Sequence, residues 1–133
     1  MQNKILLSVI LIAFINSGCN NSSINYISDD SGKYTISYFN YFDNEYTIFS
    51  YGKMTSVFLP KSYIKVKNEA FDNWECLVKW ENDTAIFYQP YSQFESINTQ
   101  NEKRLKICKM ADTLFYRIYF DKSNKLYKKI ESS

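Results

Sequence analysis

The sequence predicts a mainly β protein: a single antiparallel β-meander, sandwich or small barrel with at most one short helix. Three observations carry that expectation. Apolar and polar residues alternate with a period of two in several short runs, most clearly at Tyr34–Tyr38 and Trp74–Trp80. Turn-forming residues punctuate these runs at intervals of roughly 8–12 residues, the spacing typical of all-β domains. Heptads, internal repeats and long amphipathic helical patterns are missing from the sequence.

The elements follow in order. Tyr34, Ile36 and Tyr38 alternate with Thr35 and Ser37, a strand pattern in β-branched and aromatic residues. Asp43-Asn44 signals a turn into a strand at Tyr46–Tyr51, and Gly52-Lys53 turns the chain into a strand at Met54–Leu59. Pro60-Lys61-Ser62 interrupts, and Tyr63–Lys67 alternates again. Asn68–Asn73 suits a loop or one helical turn. Trp74, Cys76, Val78 and Trp80 share one face of a strand, leaving Glu75 and Lys79 to solvent. Glu81-Asn82-Asp83 turns that strand into Thr84–Gln89. Ser92 followed by Glu95 fits a capping box, which places the short helix near residues 92–99, although the Asn- and Gln-rich end of that segment also suits a long loop. Arg104–Met110 alternates weakly. Leu114, Tyr116, Ile118 and Phe120 form a stripe that predicts a strand with Arg117 and Asp121 outward. Asp121–Asn124 is the turn into a return strand on which Leu126 and Ile130 continue the buried face, and Lys128 breaks that face either by snorkelling or because the strand is at a sheet edge.

Composition narrows the chemistry. A chain of 133 residues suits one domain, and 45% hydrophobic with 23% charged residues is a globular balance. Histidine is absent from the sequence, which excludes histidine triads, histidine–zinc sites and histidine general bases. The formal net charge is only +2, and Lys4 supplies one unit of it, so no general attraction to nucleic acid or to an anionic membrane is expected. Asn, Lys, Ile, Tyr and Phe abound while Gly and Pro number 3 and 2, the pattern of A/T-rich codons. The 18% aromatic content is discounted for that reason before it is read as a binding surface.

The amino end reads as an export signal. Lys4 precedes an apolar run from Ile5 to Ile15, broken only by Ser8, and Asn16-Ser17-Gly18 is a small polar exit. That run is shorter than the roughly 20 apolar residues a spanning helix needs. Ser17-Gly18-Cys19 resembles the end of the lipobox of bacterial lipoproteins, with Asn16 standing where the family usually has an apolar residue. The resemblance implies a diacylglyceryl group on the Cys19 thiol, cleavage between Gly18 and Cys19, and attachment to a lipid bilayer at the cell envelope. It divides the chain into a signal peptide at 1–18, a lipidated cysteine and flexible tether at 19–32, and a single β-rich domain at 33–133.

Few residues of that domain suggest chemistry. Cys76 and Cys108 can form a disulfide if their strands are neighbours, or can stay as buried thiols. Two Ser-x-x-Lys matches, at Ser50 and Ser62, lie in or beside strands rather than opening a helix, which leaves them without the geometry of penicillin-binding enzymes. Glu75, Glu81, Asp83 and Glu95 are the carboxylates that a small hydrolase would use. Tyr38, Phe39, Tyr41, Phe42 and Tyr46 crowd around one turn and put rings on both faces of a hairpin, which suggests either a sandwich core or a patch for a protein or glycan. No cofactor or metal is implied. The expected function is therefore a non-enzymatic envelope lipoprotein that binds another envelope protein or a glycan, an immunity-type protein being one form. The alternative is a small envelope hydrolase using carboxylates.

Overall fold

The computed structural model describes residues 23–69 and 73–132. The fold is mainly β, with nine strands and one α-helix among the described residues. The strands are β1 (Asn25–Ser28), β2 (Thr35–Tyr41), β3 (Tyr46–Tyr51), β4 (Tyr63–Lys67), β5 (Glu75–Glu81), β6 (Thr84–Gln89), β7 (Phe94–Ile97), β8 (Leu105–Lys109) and β9 (Tyr127–Glu131). The helix, α1, spans Asp112–Phe120, and a single 3-10 turn covers Thr99–Asn101. No helix among the described residues is long and apolar enough to cross a membrane.

Two sheets stack face to face. The first has the order β1-β2-β3-β4-β7 and is antiparallel throughout. The second has the order β8-β6-β5-β9, in which β6 and β8 run parallel and the other pairs antiparallel. The alternation read in the sequence explains the stacking. Ile36, Phe49, Ile64 and Val66 from the first sheet meet Cys76, Val78, Phe87 and Ile130 from the second in one buried core. Phe49 sits at its centre, with the rings of Trp74, Phe87 and Phe94 5.1 to 5.8 Å away. Such edge-on and tilted ring pairs contribute about 0.5–1.5 kcal/mol each beyond simple burial. The expected Trp74, Cys76 and Val78 stripe points into this core at 2%, 0% and 0% exposure, and Trp80 packs against its rim. Lys128 lies exposed on β9, an edge strand, which is the second of the two readings of that lysine.

Four local expectations are corrected. Residues 114–120 are helical, Phe120 is exposed rather than buried, and Leu126, just before the return strand, is exposed as well. Every residue from Leu114 to Phe120 except Arg117 is apolar or aromatic, so a period of two and a period of nearly four fit equally well. Packing decides: Leu77, on the outer face of the second sheet, needs a cover, and Phe115 and Tyr119, one turn apart on α1, supply it. The predicted helix near 92–99 is instead β7, because Phe94 is drawn into the core opposite Val66. Its turn is held by Gln89, whose side-chain oxygen accepts from the Gln93 and Phe94 amides in place of the Ser92 cap. Met54–Leu59 forms no strand; Met54 packs on the outer face of the first sheet and residues 55–59 are exposed. Residues 25–28, expected within the tether, form β1 and pair with β2, with Ile27 packed on the core. The leader and Cys19 lie outside the described residues.

Candidate functional site

Each sheet has a second, outer face, and each outer face carries its own small apolar cluster. On the first sheet Phe39, Ile48 and Met54 are buried, with Tyr41, Tyr46 and Tyr63 packed around them. On the second sheet Leu77, Met110, Phe115 and Tyr119 are buried, with Tyr88, Tyr116 and Tyr127 around them.

The five aromatic residues expected to form one patch are divided by the strand alternation. Tyr38 faces the core and stacks on Phe49 at 5.5 Å. Phe39, Tyr41 and Tyr46 face outward into the first sheet's outer cluster, where Phe39 is buried. Phe42 stands alone at the turn, exposed, with a left-handed backbone (φ 53°) that bulky residues seldom adopt. A contiguous ring surface of all five does not exist.

The outer cluster of the first sheet is closed by the chain between β3 and β4. Gly52 takes φ 92°, a conformation natural to glycine, and sends the chain over the sheet. The Ser37 hydroxyl donates to the Gly52 carbonyl and accepts from the Met54 amide, so one buried side chain fixes both ends of the bend. The Tyr26 hydroxyl on β1 donates to the Met54 carbonyl. Met54 is thereby pressed onto the sheet, while Val57, Phe58 and Leu59 beyond it are 40%, 55% and 43% exposed.

The helix side presents a different surface. Phe115 and Tyr119 point inward, and the Tyr119 hydroxyl donates to Glu131 at 2.6 Å. Burial, followed by this bond, pushes the Tyr119 phenol well above its ordinary range. The opposite side of the helix and the turn beyond it leave Leu114, Phe120 and Leu126 in solvent, the last two at 70% and 72% exposure. Phe120 is not loose: its ring stacks on Tyr116 at 6.1 Å and meets Tyr119 edge-on at 5.3 Å.

A third cluster closes one end of the sandwich, and sequence reasoning missed it. Tyr34 stacks on Trp80, Tyr51 meets Trp80 edge-on, and the Arg104 guanidinium lies 4.0 Å from the Tyr51 ring centre. Glu102 grips Arg104 through both carboxylate oxygens, and this bond holds its carboxyl below the usual range. The indole N–H of Trp80 is buried and has no partner among the described residues. Arg104 lies far from Tyr51 in the chain, and no local sequence signal links them.

The cysteines do not form a disulfide. Cys76 and Cys108 are both free, and β6 lies between their strands. Register places Cys108 beside Tyr88, which is opposite Leu77 on the helix side, whereas Cys76 points into the core between the sheets. Two strand spacings separate their backbones by roughly 9.5 Å, beyond the limit of about 7 Å for a bridge. Burial pushes the Cys76 thiol far up, which leaves it inert.

The four expected carboxylates are dispersed. Glu75 and Glu81 sit at opposite ends of β5, about 20 Å apart along the strand. Glu81 pairs with Lys79 and Glu95 with Lys65 at the surface. Asp83 shares a hairpin turn with Glu81 and accepts from the Thr84 hydroxyl. Ser50 is buried within β3, and the Ser62 hydroxyl donates to the Asn98 carbonyl. Among the described residues no group of three or more Cys, Asp or Glu side chains is gathered to hold a metal ion. The chain matches no known protein family, no curated protein and no solved structure.

Proposed function

We propose that the chain is a lipoprotein of a bacterial cell envelope, held to the bilayer by acyl chains on Cys19, whose domain is a non-enzymatic binding module for another envelope protein. The address rests on Ser17-Gly18-Cys19 after the apolar run Ile5–Ile15. The binding role rests on one observation: Phe120 and Leu126 stand about seven-tenths exposed on the helix side. Phe120 is braced by Tyr116 and Tyr119, so little rotamer freedom is lost when a partner covers it. Rigid aromatic anchors of this kind dominate protein interfaces. Lys122 and Lys125 flank the patch and favour a partner with acidic groups at its rim. A toxin-neutralising immunity protein is one form that needs nothing more than such a surface.

Two experiments test the reading. Labelling with a radioactive fatty acid should mark the wild-type chain and leave Cys19→Ala unlabelled and released from membranes; equal label in both overturns the anchor. In envelope cross-linking, the substitution Phe120→Asp should cut capture of the partner on the order of tenfold, as loss of a hot-spot ring does. Undiminished capture by a folded Phe120→Asp protein overturns the binding surface.

A further inference from the structure

We infer that the loop Val57-Phe58-Leu59 dips into the bilayer beside the lipid anchor, so that the outer face of the first sheet lies against the membrane and the helix side faces away from it. The inference rests on the lipid-anchor reading and adds a second, protein-borne contact to it.

Three observations lead there. The first is position. Ile24, at the start of the described chain, packs in the outer cluster with Met54, and Tyr26 is bonded to the Met54 carbonyl. Only five peptide steps separate Cys19 from Ile24, a reach of at most about 17 Å. An acylated Cys19 therefore holds this face near the bilayer.

The second is the loop itself. Val57, Phe58 and Leu59 are three consecutive exposed apolar residues, followed by Pro60. Met54 on one side is locked onto the sheet, so the loop is presented from a fixed base. Apolar side chains held out in this way gain by burial in the acyl region.

The third is what surrounds it. Tyr41, Tyr46 and Tyr63 ring the outer cluster and Tyr26 is bonded to its Met54 carbonyl, each with an apolar body and a polar tip, the amphipathic form that favours the headgroup layer. Lys53 and Lys61 flank the loop and are exposed, and the Lys53 ammonium rests over the Tyr26 ring at 5.4 Å. Two cations beside a three-residue apolar tip complement anionic lipid headgroups.

Site-specific fluorescence tests the inference. The full chain carrying Phe58→Trp is purified from membranes with its acyl groups and placed in phosphatidylethanolamine–phosphatidylglycerol vesicles containing brominated acyl chains. A second chain carries Leu126→Trp, and the unsubstituted chain supplies the signal of Trp74 and Trp80. The acyl groups on Cys19 are weighed by mass spectrometry in each preparation. The residue 58 emission should shift to the blue and lose intensity on the order of twofold, as expected for a side chain at the depth of interfacial insertion, while residue 126 emits as in water. With Cys19 acylated, a residue 58 signal unquenched, or quenched no more than residue 126, overturns the inference and leaves the anchor standing. Absence of acyl groups overturns the anchor and the inference together.

Discussion

The two outer faces of the sandwich solve one problem in two ways. Each sheet buries one side against the other and still has apolar residues on its back. The second sheet covers its back with a helix, whose backbone bonds beyond the uncapped first turn run within the element and whose Phe115 is fully buried. The first sheet covers its back with irregular chain, which must find its hydrogen bonds elsewhere, and finds them in Ser37 and Tyr26. A helix contributes its own order; a loop borrows order from the sheet beneath it. The loop's order therefore depends on a few side chains that can be removed singly.

The largest effects test whether both backs are true cores. Phe115→Ala and Phe39→Ala should each cost about 3–5 kcal/mol, the range for truncating a buried ring, measured as lowered urea midpoints. Phe115→Ala should also reduce the helical signal in circular dichroism, whereas Phe39→Ala should leave it. A cost below about 1 kcal/mol for Phe39→Ala would show that the loop covers nothing that needs covering.

Ser37→Ala sharpens the difference. It leaves the buried Met54 amide without its acceptor and should cost about 1–3 kcal/mol. Amide exchange should rise across residues 53–60 and remain unchanged in α1. Protection lost equally on both sides would mean that the two covers fold as one unit.

The thiols separate the core from the helix side. Apart from Cys19, the denatured and unreduced domain should titrate with two free thiols. In the native protein a maleimide should modify half-buried Cys108 well before Cys76, whose thiolate is suppressed by burial. Simultaneous modification would place Cys76 outside the core.

The smallest effect is at the turn between β2 and β3. Phe42→Asn puts a residue tolerant of left-handed backbone where an exposed ring now sits, and should raise stability by up to about 1 kcal/mol. A loss of stability instead would show that the Phe42 ring has a packing role.

Much of this architecture was legible in the sequence, and the limits have physical causes. The β class and the inward stripe of Trp74, Cys76 and Val78 follow from alternation, because a half-buried strand leaves that mark. Leu77 breaks the rule. It sits at an outward position yet is fully buried, since α1 covers β5 from behind, and nothing near Leu77 announces a distant helix. The segment 114–120 misled for the related reason that an almost wholly apolar stretch carries no period. The ring-bearing hairpin at Tyr38–Tyr46 has rings on both faces, as its sequence predicts, but their two destinations, core and outer cluster, depend on residues far away in the chain. Pairing of Cys76 with Cys108 was undecidable because it turns on which strand lies between them, and that is a property of topology alone.

The shortness of β1 has a mechanical meaning. If the proposed anchor on Cys19 is loaded against the proposed partner on the helix side, the pull enters the described chain through Ile24 and β1. It meets a ladder of four residue pairs, Asn25–Ser28 against Tyr38–Thr35, at the open edge of the first sheet. The pairs are loaded one after another from the end, like the teeth of a zip, while β2 to β4 are braced on both sides. On that reading β1, as the short edge strand, would yield first and lengthen the tether by several residues before the force reached the body of the domain. The Tyr26 hydroxyl, clipped to the Met54 carbonyl, sets where that yielding begins to disturb the loop.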